Sequence, residues 1–223
     1  MLLTDLSKAF DCLVHDLLIA KLNAYGFDYD ALLLINDYLS ERKQRTKIGE
    51  VYSAWSDIIL GVPQGSILGP LLFNIYINDI FYFMEATTIT NYADDNTPYI
   101  CDKTIDLVLT RLETDANNLG QWFKANYLKS NEDKCQLLLN LDSVELFINV
   151  GSENIYNSTE TKLLGITFDS ALKFDAHVSK LCKKANQKLH ALLRVANYMS
   201  YEKRRIIMKS FVTSQFGYCL QRV

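Results

Sequence analysis

The period of the apolar residues changes repeatedly along the first part of the chain, and this irregular switching is what most limits the fold. Leu2 to Leu6 reads as a short buried strand. Val14 to Tyr25 and Asp30 to Leu39 carry apolar residues at helical spacing, with Asp28 or Asp30 able to cap the second. Gln44 to Ile48 and Val51 to Ile59 alternate around a Gly-Glu turn, as the strands of a hairpin do. Ser66 to Ile80 is predicted helical, with Ser66 as a cap and Pro70 in the first turn. Thr87 to Tyr92 and Thr97 to Cys101 flank Ala-Asp-Asp-Asn as a second hairpin. Asp106 to Trp122 is helical by period, and Cys135 to Asn140, Val144 to Val150 and Leu163 to Phe168 are predicted strands. Elements interleaved in this way predict an α+β fold, a sheet with helices packed on one face.

After Phe168 the composition changes. His177 to Tyr198 and Tyr201 to Gln215 read as two helices rich in Lys and Arg, so a boundary is placed near residues 170–175. Residues 170–223 hold eleven Lys or Arg against two acids, Asp175 and Glu202, a balance of +9; residues 1–169 then carry −12 of the chain's −3 total. A basic end on an acidic body suits a protein that grips a phosphate backbone at one place. Lys-rich solvated helix faces give the same count. Hydrophobic residues at 49% and charged residues at 22% are an ordinary globular balance. No apolar run reaches the length of a membrane span, and no secretory leader precedes Asp5. The five cysteines are scattered without a CxxC pair, which fits reduced thiols in an intracellular protein.

Three segments combine turns with residues able to carry chemistry. Asp5 leaves a buried strand, a rigid support from which a carboxylate can reach a hard divalent cation; a strand-end turn residue has the same appearance. Asp94 and Asp95 sit side by side at a hairpin tip, where two carboxylates repel unless a cation lies between them; Asp-Asp-Asn is also ordinary turn composition. Gly61-Val62-Pro63-Gln64-Gly65-Ser66 is a stiff turn feeding a helix N-terminus, suited to a phosphate or a base, or simply a loop entering a helix.

Taken together and in order, these segments resemble the reverse transcriptases of non-LTR, LINE-like retrotransposons. "DLSKAFDCLVHDLLIAKL", "GVPQGSILGPLLFNIYINDI" and "NYADDNTPYI" are similar to polymerase motifs A, B and C. "WFKANYLKSNEDKCQLLL" (122–139), with Asn131-x-x-Lys134, resembles motif D, and "KLLGITFDSALKFDAHV" (162–178) resembles motif E and the lead into the thumb. The resemblance implies a polymerase palm at 1–170, an antiparallel sheet with helices on one face, and a small basic helical thumb at 171–223.

It also implies the chemistry: an RNA-directed DNA polymerase that extends a DNA primer on an RNA template with deoxynucleoside triphosphates, using two Mg²⁺ ions or Mn²⁺ in their place. Asp5, Asp94 and Asp95 fall on the family's metal-holding positions, with the backbone carbonyl of Leu6 completing the shell. Phe10 falls where the family keeps an aromatic that collides with a ribose 2′-hydroxyl, though a buried aromatic beside the first strand reads the same way. Gln64 and Gly65 match residues lying along the template and incoming base. Lys134 matches a lysine that donates a proton to pyrophosphate, or is a surface lysine after a turn. Lys183, Lys184, Arg204 and Arg205 are the expected nucleic-acid contacts of the thumb. Asp11, His15, Asn78 and Asp79 are expected to cap and pack.

Met1 falls at the start of motif A, so this sequence lacks the fingers that supply basic triphosphate-binding residues in the family, and it lacks an upstream endonuclease. Its last residues, Leu-Gln-Arg-Val, depart from the family's continuation. Two readings therefore stand: a polymerase module, or a catalytically silent nucleic-acid-binding remnant held by its basic thumb.

Overall fold

A computed structural model describes residues 1–131, 134–141 and 145–218. The start of the strand expected from Val144, together with Cys219 and residues 220–223, lies outside the described residues. In chain order the strands are β1 (Leu2–Leu3), β2 (Lys43–Gln44), β3 (Lys47–Ile48), β4 (Val51–Tyr52), β5 (Ser56–Asp57), β6 (Thr88–Tyr92), β7 (Asp95–Tyr99), β8 (Gln136–Leu138), β9 (Phe147–Val150), β10 (Glu153–Ser158), β11 (Glu160–Leu163) and β12 (Ile166–Asp169). The helices are α1 (His15–Ala24), α2 (Tyr29–Leu39), α3 (Leu68–Ile77), α4 (Ile105–Ala125), α5 (Asp175–Val195) and α6 (Tyr201–Ile207).

Two compact units divide the chain. The first runs from Met1 to Leu139 and continues through the strands that end at Ser158; the second takes in Thr159 onward. By packing, the β11–β12 hairpin therefore goes with the helices that follow it.

In the first unit, the segment that opens with β1 is paired on both sides. Leu2 stands opposite Leu137 of antiparallel β8, and Thr4 bridges to Asn96 of β7, which brings the β6–β7 hairpin to the other edge. β10 then lies parallel to β8 and antiparallel to β9. The sheet is thus mixed, with one parallel pair that arises because the β9–β10 hairpin folds back and inserts its second strand beside β8.

α4 covers one face. Its Leu112 and Ala116 pack with Leu2, Leu137, Leu139, Ile148 and Ile155. Further along, its Leu119, Trp122 and Phe123 join Leu6, Phe73 and Tyr76 in the larger core, so one helix ties both apolar clusters together. Period-two alternation puts Leu2, Thr4 and Leu6 on the α4 side and leaves Asp5 on the opposite face.

Lys21 of α1 is the polar junction of the larger core. Its Nζ donates to the Tyr76 carbonyl and to Asp79 Oδ1, both at 2.7 Å, and lies 4.8 and 4.9 Å above the Tyr76 and Trp122 rings. Burial lowers the pKa of Lys21 while Asp79 acts to hold the proton on. Burial also pushes the Tyr76 phenol up to about 12, and its hydroxyl donates to the Asn126 carbonyl at 2.8 Å.

Asp28 caps α2 as expected, its Oδ1 accepting the Ala31 N–H, whereas α3 starts at Leu68 with Ile67 in the N-cap position; Ser66, one residue further out, still accepts the Gly69 N–H on its Oγ. Three expectations change. The acidic hairpin turns on Ala93 and Asp94 alone, so Asp95 and Asn96 are strand residues. The strand expected from Leu163 to Phe168 is instead interrupted by a turn, with Leu164 and Gly165 at φ 47° and 86°; β11 precedes it and β12 follows. The expected helix from Tyr201 to Gln215 holds its α form only to Ile207 and continues as wider and then tighter turns to Phe216.

Asp115 is fully buried in α4, yet it is a carboxylate. It accepts the N–H groups of Glu85, Ala86 and Thr87 at 3.0, 3.0 and 2.6 Å and so anchors the loop that enters β6. Burial alone would raise its pKa, but these donors outweigh it and hold the carboxyl below its ordinary value of 3.8. The stabilisation is complete above that value and disappears as pH falls through the lowered pKa of the folded state. Asp115→Asn is expected to cost about 2–3 kcal/mol, because an amide has one acceptor oxygen for three donors. Urea unfolding at neutral pH checks this, and the gap between the variant and the native chain should narrow as pH falls through the lowered pKa of the Asp115 carboxyl.

Candidate active site

Asp5 lies between two backbone pairings, Thr4 with Asn96 and Leu6 with Ser130. Its carbonyl accepts the Asn131 N–H at 2.8 Å, and the Ser7 N–H donates to the Lys129 carbonyl at 2.9 Å. The backbone around Asp5 is therefore fixed on both edges while its carboxylate stays partly exposed. Leu6 is buried in the core, so only its backbone is left for the site.

Asn96 connects this strand to the acidic hairpin. Its carbonyl accepts both the Thr4 N–H and the Thr4 hydroxyl at 3.0 Å. Its side-chain amide donates to the Asp94 carbonyl at 3.0 Å and accepts from Asn91 at 2.7 Å. The turn itself has Ala93 in the left-handed region, φ 54°, a conformation an L-residue holds only when its surroundings impose it.

The result is a juxtaposition of carboxylates. Burial, then the charge of Asp94, then that of Asp5 raise the pKa of Asp95, so all three residues share one electrostatic neighbourhood. Among the described residues no group of three His, Cys, Asp or Glu side chains is arranged to hold a metal ion. Lys134 Nζ stands 3.2 Å from Asp5 Oδ2, an exposed pair whose contribution to stability is small. The donor set nonetheless suits a hard divalent cation: carboxylate oxygens on supported backbone, with mutual repulsion that such a cation relieves.

A second clamp sets the rim of the site. The Gly61 N–H donates to the Leu13 carbonyl at 2.8 Å and the Val62 N–H to the Phe10 carbonyl at 3.0 Å, while Gln64 Nε2 donates to Asp11 Oδ1 at 2.8 Å. His15 Nε2 lies 2.7 Å from the Gly61 carbonyl. Asp11 and His15 thus do more than cap: they fasten the segment after Asp5 to the turn before α3. Phe10 stacks on buried Phe73 with ring centroids 4.2 Å apart, and it lines a cleft of about 600 Å³ with Pro70, Asn74, Tyr92 and Ala93. Gln64 and Gly65 are exposed beside it, Gly65 at φ 83°.

Sequence reasoning brought Asp5, Asp94, Asp95, Phe10, Gln64 and Lys134 to attention, and all belong to the first unit. It missed Asn96 as the connector, because Asp-Asp-Asn reads as a turn. It also missed Asp115, although an acid at the apolar spacing Leu112, Ala116, Leu119 was a usable signal. Lys183 and Lys184 on α5 and Arg204 and Arg205 on α6 are exposed in the second unit, Arg205 pairing with Glu202 at 3.1 Å.

A palm-like mixed sheet followed by thumb-like helices is the framework of a template-directed polymerase. The chain belongs to the reverse transcriptase family: the family model for reverse transcriptase (RNA-dependent DNA polymerase) matches residues 1–168. It is 28% identical over 97% of its length to the probable RNA-directed DNA polymerase from transposon BS of Drosophila melanogaster. It is 26% identical, again over 97%, to the RNA-directed DNA polymerase from mobile element jockey of the same species. A probable RNA-directed DNA polymerase from transposon X-element, also of that species, is 24% identical over 99% of the chain. The chain spans 25% of the length of each of these relatives. Its domain is thus homologous to those of non-LTR elements. No helix among the described residues is long and apolar enough to cross a membrane.

Gly61 tests the second clamp. A Cβ at this position would stand 2.7 Å from the Asp11 Cα, and φ is 81°. Gly61→Ala is expected to destabilise the first unit by about 2 kcal/mol through backbone strain and overlap, measured by urea unfolding.

Proposed function

We propose that this chain is an RNA-directed DNA polymerase module of a non-LTR retrotransposon, adding deoxynucleotides to a primer 3′ end at Asp5, Asp94 and Asp95. The observation that supports this reading most is the pairing of Thr4 with Asn96, which sets Asp5 beside the acidic hairpin. The residues that would hold the ions are these three carboxylates and the backbone of Leu6. Two Mg²⁺ ions, or Mn²⁺ in their place, would supply the acidified primer hydroxyl and the neutralised triphosphate on which such a transfer depends.

The remaining roles fall to the chain itself. Phe10, braced against Phe73, presents a rigid edge that excludes a ribose 2′-hydroxyl from the cleft. Gln64, held by Asp11, and Gly65, which adds no side chain, give the template and incoming base a flat rim. Lys134, already beside Asp5, is within the neighbourhood where a proton must pass to the departing pyrophosphate. Lys183, Lys184, Arg204 and Arg205 neutralise phosphates of the primer–template duplex. The family's extension of a DNA primer on its element's RNA is carried over with the rest of this reading.

The rival, a silent nucleic-acid-binding remnant, draws on the Lys134 ammonium occupying Asp5 and on the open arrangement of the carboxylates. Primer extension on poly(rA)–oligo(dT) with Mg²⁺ or Mn²⁺ separates the two. Extension by the native chain that is abolished in Asp94→Asn, with duplex binding retained, is the expected outcome. Extension that survives in the variant overturns the metal assignment, and a folded native chain that does not extend favours the remnant.

A further inference from the structure

The polymerase reading leaves unused an exposed two-stranded arm, Arg42 to Ile58, that projects its side chains into solvent. The arm is one hairpin built from two short ladders. Near the tip, Lys47 stands opposite Tyr52 and Ile48 opposite Val51; at the base, Lys43 stands opposite Asp57 and Gln44 opposite Ser56. Between the ladders the outgoing strand has Arg45 and Thr46, whereas the returning strand has Ser53, Ala54 and Trp55. Two residues facing three is a β-bulge, and a bulge changes which face every later side chain occupies.

The consequence is specific. In an unbroken strand Tyr52 and Trp55 would point to opposite faces, since they are an odd number of positions apart. The bulge puts both on the face that carries Lys43, Arg45 and Lys47. The Arg45 guanidinium is then sandwiched, 4.0 Å from the Tyr52 ring and 4.5 Å from that of Trp55, while Lys47 Nζ lies 5.1 Å from Tyr52. Trp55 remains 59% exposed and Tyr52 45% exposed, so each ring is braced from one side and open on the other. The acids on the arm hold the lysines only loosely: Lys43 meets Asp57 at 3.4 Å and Lys47 meets Glu50 at 4.0 Å, both in solvent.

We infer that this face of the arm binds the unpaired RNA template strand, bases stacking on Trp55 and Tyr52 and phosphates meeting Lys43, Arg45 and Lys47. Aromatic rings interleaved with cations on an extended, exposed strand are what a flexible single strand requires, because every base has a face to stack and every nucleotide a charge to neutralise. A protein partner would leave three cations with little to pair on so apolar a pair of rings. Naming the strand as template rests on the polymerase reading; the binding chemistry does not.

The test is binding of a labelled oligouridine strand to the full chain in EDTA, followed by fluorescence anisotropy, so that no polymerisation enters the result. Trp55→Ala is expected to weaken binding roughly tenfold, as loss of one stacking platform does, with Trp55→Phe restoring most of it. Arg45→Ala is expected to weaken binding and lower the salt slope by about one. The native chain gives a check that needs no variant: Trp122 is 1% exposed, so iodide quenching reports Trp55, and saturating RNA should shield it. Unchanged affinity in Trp55→Ala and Arg45→Ala, or unshielded Trp55 with RNA bound, overturns the inference. So does a native dimer that Trp55→Ala dissociates without loss of RNA binding, since the arm would then join two copies. Failure of primer extension with arm binding intact would overturn the polymerase reading alone.

Discussion

The bond pattern around Asn96 is the constraint on which the site depends. Asn96, 1% exposed, ties together three segments: its main-chain carbonyl receives both donors of Thr4, and its side-chain amide closes the hairpin through Asn91 and the Asp94 carbonyl. Such a network is worth little more than a few kcal/mol in net stability, but leaving any member unpaired in the interior costs comparably, so the arrangement is strongly favoured over its alternatives. Asp5 and Asp94 stand far apart in sequence, and this contact is what brings the segment carrying Asp5 against the acidic hairpin. Burial raises the pKa of Asp95, and the charges of Asp94 and then Asp5 add to it.

The apolar frame below holds that arrangement still. α4 spans both core clusters, Lys21 joins α1 to Tyr76 and Asp79, and the Gly61 clamp binds the segment after Asp5 to the turn before α3. Phe10 is where the two systems meet, one ring face on the core and the rest toward the cleft. A carboxylate site needs such rigidity, because ligands that drift lose both affinity and geometry. The left-handed Ala93 shows the same thing from the other side, a small strain held by the packing around it.

Much of this was legible in residue order. Helices with long apolar periods were found within a few residues, as were the β2–β5 and β6–β7 hairpins, since local patterns suffice for local structure. β10 escaped because Glu-Asn-Ile-Tyr-Asn-Ser is polar, with Ile155 its buried residue, and its place beside β8 is settled by a non-local pairing. The turn at Leu164 hid within an apolar run. The motif residues of the site were visible individually, and the family resemblance brought them together. The agents that position them were not: Asn96 looked like turn composition, Asp115 like a helix acid, and Gly61 like one glycine among several. The bulge at Trp55 is likewise invisible to composition, because an odd or even spacing has meaning only once the register is known.

The central claim is that Asp5 and Asp94, on different elements, form one cation site. Titrating the chain with Mn²⁺ and following the free ion by electron paramagnetic resonance tests it directly. The account predicts a Mn²⁺ site in the native chain that is weakened alike by Asp5→Asn and by Asp94→Asn, in variants that keep the native circular dichroism spectrum. Mn²⁺ binding that is lost in one variant and untouched in the other, or that persists in both, would contradict it.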